Sequence, residues 1–299
     1  MRRIAAILGA GLLAAAGLGW FLSAPQPLPA GRIAAAPGDA ARGARIFWVG
    51  GCASCHAAKG AKGDDRLKLG GGAPLETALG TFQAPNISHG PDGIGGWSLA
   101  DFANAMQRGI SPDGRHYYPA FPYASYARMQ PADIADLWAF MRTLPPVAGQ
   151  PAEGRIGFPW NIRRGIGLWK RAFLSDAPVV ALPADASPAA RVGQYLVEGP
   201  GHCGECHTPR TLSGLGGLDR GRWLAGAAAA EGEGKVPGIA PGRLKWTAAE
   251  IADYLETGFT PDYDSVGGTM VAVQANMAML PDADRAAIAA YLKAVPAQP

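Results

Sequence analysis

Cys52-Ala53-Ser54-Cys55-His56 and Cys203-Gly204-Glu205-Cys206-His207 carry the reading of this chain, and between them they use all four of its cysteines. Each is C-x-x-C-H. The two-residue gap lets both thiols reach the two vinyl groups of one haem as thioethers, and the adjacent histidine comes up beneath the iron as proximal ligand. Two disulfides would leave both histidines unexplained, and a thioredoxin-like dithiol should sit in a βαβ pattern that the sequence lacks. A single four-cysteine zinc site would have to join pairs about 150 residues apart. Two covalently bound haem c are therefore expected, attached through Cys52, Cys55, Cys203 and Cys206, with His56 and His207 on the irons.

Outward from the motifs, the second half echoes the first. Trp97-Ser98-Leu99-Ala100-Asp101-Phe102, leading to Gly109 and Pro112-Asp113, matches Trp246-Thr247-Ala248-Ala249-Glu250-Ile251, leading to Gly258 and Pro261-Asp262, at a constant offset of 149. Ser98 with Asp101, and Thr247 with Glu250, read as capping boxes that satisfy free N–H groups at a helix start. Each unit also ends in a helix opened by proline, Pro131 through about Leu144 and Pro281 through about Val295, where the missing N–H costs nothing. Apolar Ile134, Leu137, Trp138 and Met141 recur at helical spacing, as do Ile288, Tyr291 and Leu292. A short helix precedes each motif, at Ala41 to Val49 and Ala190 to Glu198. Such loop-rich units are expected to be all-α and to close their cores around the haem itself.

An electron-transfer haem normally has both axial positions filled, commonly by His and Met. In the first unit only Met106, inside the capped helix, and Met129, just before the final helix, are available, and Met129 is the choice. In the second, counting from the shared tryptophan, Met277 stands at +31 and Met279 at +33 against +32 for Met129, while Met270 stands at +24, where the first unit has Phe121. Spacing leaves these three open. Of the remaining histidines, His202 adjoins Cys203 too closely to reach the same iron, and His116 is a candidate contact for a haem edge or propionate.

Pro85-Asn86-Ile87, Gly93-Ile94-Gly95-Gly96-Trp97-Ser98, Pro112-Asp113-Gly114-Arg115-His116-Tyr117-Tyr118-Pro119-Ala120-Phe121-Pro122-Tyr123, Gly267-Gly268-Thr269-Met270 and Ala287-Ile288-Ala289-Ala290-Tyr291-Leu292-Lys293 resemble the cytochrome c subunits of membrane-bound alcohol and gluconate dehydrogenases, over most of residues 40 to 299. The resemblance implies a periplasmic c-type cytochrome that takes electrons from a quinoprotein or flavoprotein dehydrogenase and passes them to ubiquinone or a terminal oxidase. It is also what selects Met270 as the second distal ligand. The best-known members carry three haems where this chain has two motifs, and some relatives have methionine at the position of Phe121. The expected architecture is two tandem class I cytochrome c-like domains, at 38–147 and 188–299, joined by a basic and aromatic linker at 148–187.

The N-terminus sets the compartment. Ile4 to Leu22 carries no charge after Arg2 and Arg3, and as a helix it would span roughly 28 Å, enough to cross a bilayer. Two arginines before the run favour a cytoplasmic N-terminus, with the body in the periplasm on the inner membrane. The run exceeds the usual length of a cleaved signal's apolar core, so 1–23 is read as a retained anchor and Ala24 to Pro37 as a Pro-rich spacer. A net charge of +3 is too slight and dispersed for nucleic acid.

Within the linker, Ile162, Ile166, Trp169 and Phe173 would share one helix face, which suits packing between domains better than lying on lipid. The mixed-charge loop from Lys59 to Lys68 reads as solvated. An alternative class, a diheme enzyme of peroxidase or thiosulfate-oxidising type, needs an open or displaceable ligand, for which no third cysteine or paired histidines are in evidence. An independent relay to a terminal oxidase is the remaining alternative.

Overall fold

The computed structural model describes residues 2–33, 37–230 and 234–297. It is mostly helical. In chain order the helices are α1 (Arg2–Leu22), α2 (Ala40–Val49), α3 (Cys52–His56), α4 (Leu99–Arg108), α5 (Tyr123–Tyr126), α6 (Pro131–Met141), α7 (Gly165–Phe173), α8 (Pro188–Glu198), α9 (Gly204–His207), α10 (Ala248–Thr257), α11 (Met270–Met277) and α12 (Asp282–Ala294). The all-α expectation needs correction, because short strands are present. Strands β1 (Pro74–Thr77), β2 (Gly80–Gln83) and β3 (Arg155–Ile156) form one antiparallel sheet, and β4 (Ala227–Ala228) pairs with β5 (Lys235–Val236). Gly80 explains the first sheet: its φ is +126°, and a Cβ there would lie 2.1 Å from the Arg155 carbonyl oxygen. Only glycine lets β3, from the start of the linker, close on the hairpin.

The capped helices form as the sequence reads. Ser98 opens α4 and Thr247 opens α10, each with a reciprocal capping box, and Gly109 and Gly258 end them in the left-handed conformation. Pro131 sits in the first turn of α6, whereas Pro281 falls one residue outside α12 as its N-cap. The apolar stripes point inward: Ile134, Leu137, Trp138 and Met141 are buried, as are Ile288, Tyr291 and Leu292.

Each half is organised by one helix crossing, α2 on α6 and α8 on α12. At the crossings stand Gly43 and Gly193, where an added Cβ would lie 2.0 Å from the Asp136 carbonyl oxygen and 1.9 Å from that of Ala287. The backbones touch. In the first half Asp136 locks the crossing, accepting from Asp39 N at 2.6 Å and from Arg42 Nε and Nη2 at 2.7 and 3.1 Å. Burial works to raise the Asp136 carboxyl, but the Arg42 and Asp39 hydrogen bonds outweigh it and hold it below its ordinary value. A depressed folded-state value contributes stability above the unfolded carboxylate pKa that is lost as pH falls through the folded one. Asp136→Asn should therefore lower the urea midpoint at neutral pH, with the gap to wild type closing below about pH 4. A gap that stays constant down to pH 2 would contradict this. In the second half the buried Glu198 carboxylate accepts from Tyr291 Oη at 2.6 Å, and Tyr291 Oη accepts from Trp223 Nε1 at 3.0 Å.

The halves are joined by direct bonds. Arg45 Nε and Nη2 donate to Asp284 at 2.6 and 2.8 Å, Asn276 Nδ2 donates to Ser54 Oγ at 2.6 Å, and Ser125 Oγ donates to Glu205 at 2.7 Å. In the linker, α7 begins at Gly165, so Ile162, expected on the same helix face, lies outside it and is exposed, whereas Ile166 is buried, Trp169 Nε1 donates to Leu215 O at 3.0 Å, and the Trp169 ring meets those of Tyr123 and Phe173. The 24–37 segment, of which residues 34–36 lie outside the described set, does not stand clear of the body. Leu28 N donates to Asn104 Oδ1 at 2.8 Å, and Leu28 and Ile33 pack against the core.

Candidate haem-binding sites

Helix α3 is little more than one turn, entered through Gly51 at φ +61°. Cys52, Cys55 and His56 stand at i, i+3 and i+4, so two sulfurs and an imidazole share one side of it. Cys203 caps α9 in helical conformation and repeats the arrangement with Cys206 and His207. Gly204, between the second pair of thiols, is where the Trp223 ring packs, since a Cβ there would lie 2.1 Å from it.

Both histidines are held the same way. His56 Nδ1 lies 2.9 Å from Pro85 O, and His207 Nδ1 lies 2.8 Å from Pro237 O. A carbonyl only accepts, so each Nδ1 carries the proton and each Nε2 presents a lone pair, the tautomer that an iron requires. Burial lowers both imidazoles from their ordinary value, which keeps them neutral. The proline carbonyls follow their histidines by 29 and 30 residues. They are the functional partners that the sequence reading missed, and only that near-equal spacing could have shown them.

None of the four cysteines is in a disulfide. Burial pushes the Cys52 and Cys203 thiols up to about 12, the reverse of what a redox dithiol needs. Among the described residues no three His, Cys, Asp or Glu side chains gather around a point where a bare metal ion would sit. Two thiols and a fixed, neutral imidazole on one turn are the donor set of haem c, and the chain fits that group at both places.

Met129 is buried before α6, with its carbonyl accepting from Gln107 Nε2 at 2.7 Å. Met270 opens α11 half-buried against the core, Met277 is buried at the end of the same helix, and Met279 is 52% exposed. The divided spacing has a structural cause. Tyr117 N bonds Gly109 O as Val266 N bonds Gly258 O, an offset of 149, but the C-caps Ala127 and Ala278 stand 151 apart. Two extra residues thus enter between Val266 and Ala278, in the longer α11. By the caps, the counterpart of Met129 is Leu280.

Of the three histidines outside the motifs, His116 and His202 are engaged by other protein atoms. His116 spends both nitrogens elsewhere, Nε2 on Ser23 O at 2.9 Å and Nδ1 on Lys170 Nζ at 3.1 Å, so the expected haem-edge contact gives way to a link to α1. His202 Nε2 donates to Gly50 O at 3.2 Å, and Tyr126 Oη donates to the same oxygen at 3.3 Å, the two rings meeting edge-to-face at 5.6 Å. Gly50 is two residues ahead of the first motif, and His202 adjoins the second. One carbonyl joins the approaches to both sites.

Residues 40–145 match the family model described as Cytochrome c. Over 287 residues the chain is 52% identical to a protein of Cereibacter sphaeroides described as "Diheme cytochrome c-type", covering 96% of each. It is 34% identical over 263 residues to the fructose dehydrogenase cytochrome subunit of Gluconobacter japonicus, covering 86% of this chain and 52% of that one. It is 33% identical over 302 residues to the cytochrome c subunit of the quinone-type alcohol dehydrogenase of Gluconobacter oxydans, covering 94% of this chain and 61% of that one. The chain thus spans nearly the whole of the diheme relative and a little over half of each of these dehydrogenase subunits.

Proposed function

The chain belongs to the diheme c-type cytochromes, and on that premise we propose that it is a membrane-anchored periplasmic conduit that takes electrons from a partner dehydrogenase and delivers them to the respiratory chain. The donor is a quinoprotein or flavoprotein dehydrogenase of alcohol or sugar type, and the acceptor lies on the ubiquinone or terminal-oxidase side. The observation that carries the reading is the duplicated C-x-x-C-H turn with each histidine fixed through Nδ1 to a proline carbonyl. Dehydrogenase partnership rests on the likeness to relatives that are cytochrome subunits of dehydrogenases.

In this reading two domains, 38–147 and 188–299, each hold one haem c, which supplies the one-electron couple. Cys52 and Cys55, and Cys203 and Cys206, fix the groups covalently, so that neither is lost between turnovers. His56 and His207, their rings held by Pro85 and Pro237, would supply the imidazole ligands, and Met129 and Met270 would supply the thioether ligands. With both ligands supplied by the protein, the group would carry one electron at a time and would leave water and small molecules no position on the iron.

Met129→Ala and Met270→Ala are each expected to remove one of two low-spin His/Met signatures and leave the other, read by magnetic circular dichroism of the oxidised protein. An intact pair of signatures in Met270→Ala would move the second ligand to Met277 or Met279. The role itself is tested by extracting the tagged chain from its own membranes in mild detergent. A stoichiometric quinoprotein or flavoprotein dehydrogenase on a haem-stained gel is the expected result, and recovery of the chain with an oxidase alone would favour the independent relay.

A further inference from the structure

Helix α1 is 21 residues long with a mean hydropathy of 2.0 over its best window, which by length and composition suffices to cross a bilayer. Its C-terminal end is fastened to the body. Arg164 Nη2 donates to Trp20 O and Arg164 Nε to Ser23 Oγ, both at 2.9 Å, Arg171 Nε donates to Leu22 O, and His116 Nε2 donates to Ser23 O at 2.9 Å. The Arg164 guanidinium also stacks 4.3 Å over the Trp20 ring. A Cβ on Gly167 would lie 2.1 Å from Ser23 O, so α7 meets the helix end backbone to backbone. These are the carbonyls that a helix leaves unpaired at its C-terminus, and here cations answer them and the helix dipole together. The body begins where the span ends.

Around that junction the surface is apolar and basic. Phe158 is 82% exposed, Trp160 42%, Ile162 54% and Leu168 45%, next to the exposed Trp20 and Phe21 of α1. Arg164, Leu168 and Arg171 recur at i, i+4 and i+7, which puts Leu168 on the face that grips α1. From Arg155 to Phe173 there is no Asp or Glu, and of the five cations Lys170 is buried, which leaves Arg155, Arg163, Arg164 and Arg171 at the surface. Exposed aromatics interleaved with unopposed cations suit the headgroup zone of an anionic bilayer, where ring bodies sit in the apolar boundary and positive charge meets phosphate.

We propose that Phe158, Trp160, Ile162 and Leu168 are seated in the interfacial layer of the same membrane that α1 crosses, holding the body against the bilayer in one orientation. The inference rests on reading α1 as a retained membrane span. It divides the linker by function: the Ile166, Trp169 and Phe173 side of α7 packs inward between the halves, and the side around Leu168, together with the preceding loop, faces lipid.

The test uses the full, haem-loaded chain in vesicles containing phosphatidylglycerol, with one nitroxide at a time on Leu12→Cys, Ile162→Cys or Asp253→Cys. The native cysteines are occupied as thioethers, and relaxation by oxygen and by a water-soluble nickel chelate reads the depth. The expected result is that the labels at 12 and 162 are both open to oxygen and shielded from nickel, while the label at 253 is open to nickel. A label at 162 as accessible to nickel as the one at 253, with that at 12 still shielded, would overturn the proposal and leave the anchor standing. A label at 162 shielded from both reagents would also overturn it, since protein rather than lipid would then cover the patch. Nickel access at 12 would bring down the anchor reading and the proposal with it.

Discussion

Cys203→Ser with Cys206→Ser is expected to halve the covalent haem, from two per chain to one, with the remaining group held through Cys52, Cys55 and His56. The ratio of pyridine haemochrome to protein reads this directly. Each site is assembled locally, two thiols and an imidazole on one turn with a proline carbonyl behind, so loss at one motif leaves the donor set of the other whole. Stability should follow content. Deprived of a haem, the second half should become protease-sensitive while α2 to α6 persist. Two haems retained would refute covalent attachment at the second motif. None retained would show that the halves mature only together.

Gly43→Ala is expected to destabilise the fold strongly. A glycine-to-alanine change inside a helix ordinarily gains about 1 kcal/mol from propensity. At this crossing the new methyl group would lie 2.0 Å from the Asp136 carbonyl oxygen and 2.8 Å from Phe140 Cβ, so α2 and α6 must part. Overpacking of this kind costs about 3 kcal/mol, enough to reverse the sign of the propensity gain. Gly193→Ala should behave alike against α12. Gly165→Ala is the control, because a Cβ there meets nothing within 4 Å, and it should be neutral or slightly stabilising. Urea midpoints of the three variants decide the matter, and a Gly43→Ala protein as stable as the control would remove the crossing from the account.

What could be read from the sequence was whatever side chains announce within a few residues. The C-x-x-C-H motifs, both capping boxes and the stripes of α6 and α12 are local patterns, and each has its counterpart in the structure. What could not be read depends on backbone atoms far along the chain. Pro85 and Pro237 act through their carbonyl oxygens, which no side-chain chemistry advertises. Gly43 and Gly193 matter for the atoms they lack, and among 42 glycines nothing local separates a crossing point from a turn. The short strands escaped for a similar reason, since β3 lies some 70 residues from its partner β2 and is only two residues long. The second distal ligand divided the spacing because α11 is longer than α5, an insertion that a fixed offset cannot register.

The Gly50 carbonyl gives the two halves a common fixed point. A pair of redox carriers that must find each other by diffusion works at a rate set by concentration, viscosity and the chance of a productive orientation. Here the approaches to both motifs are pinned to one oxygen atom, one by Tyr126 and the other by His202, with Arg45 and Asp284 bracing the seam farther out. Encounter is thereby replaced by architecture. In the proposed role, passage between the halves would be a first-order event at constant range, and dilution or crowding would bear only on how the chain meets its redox partners.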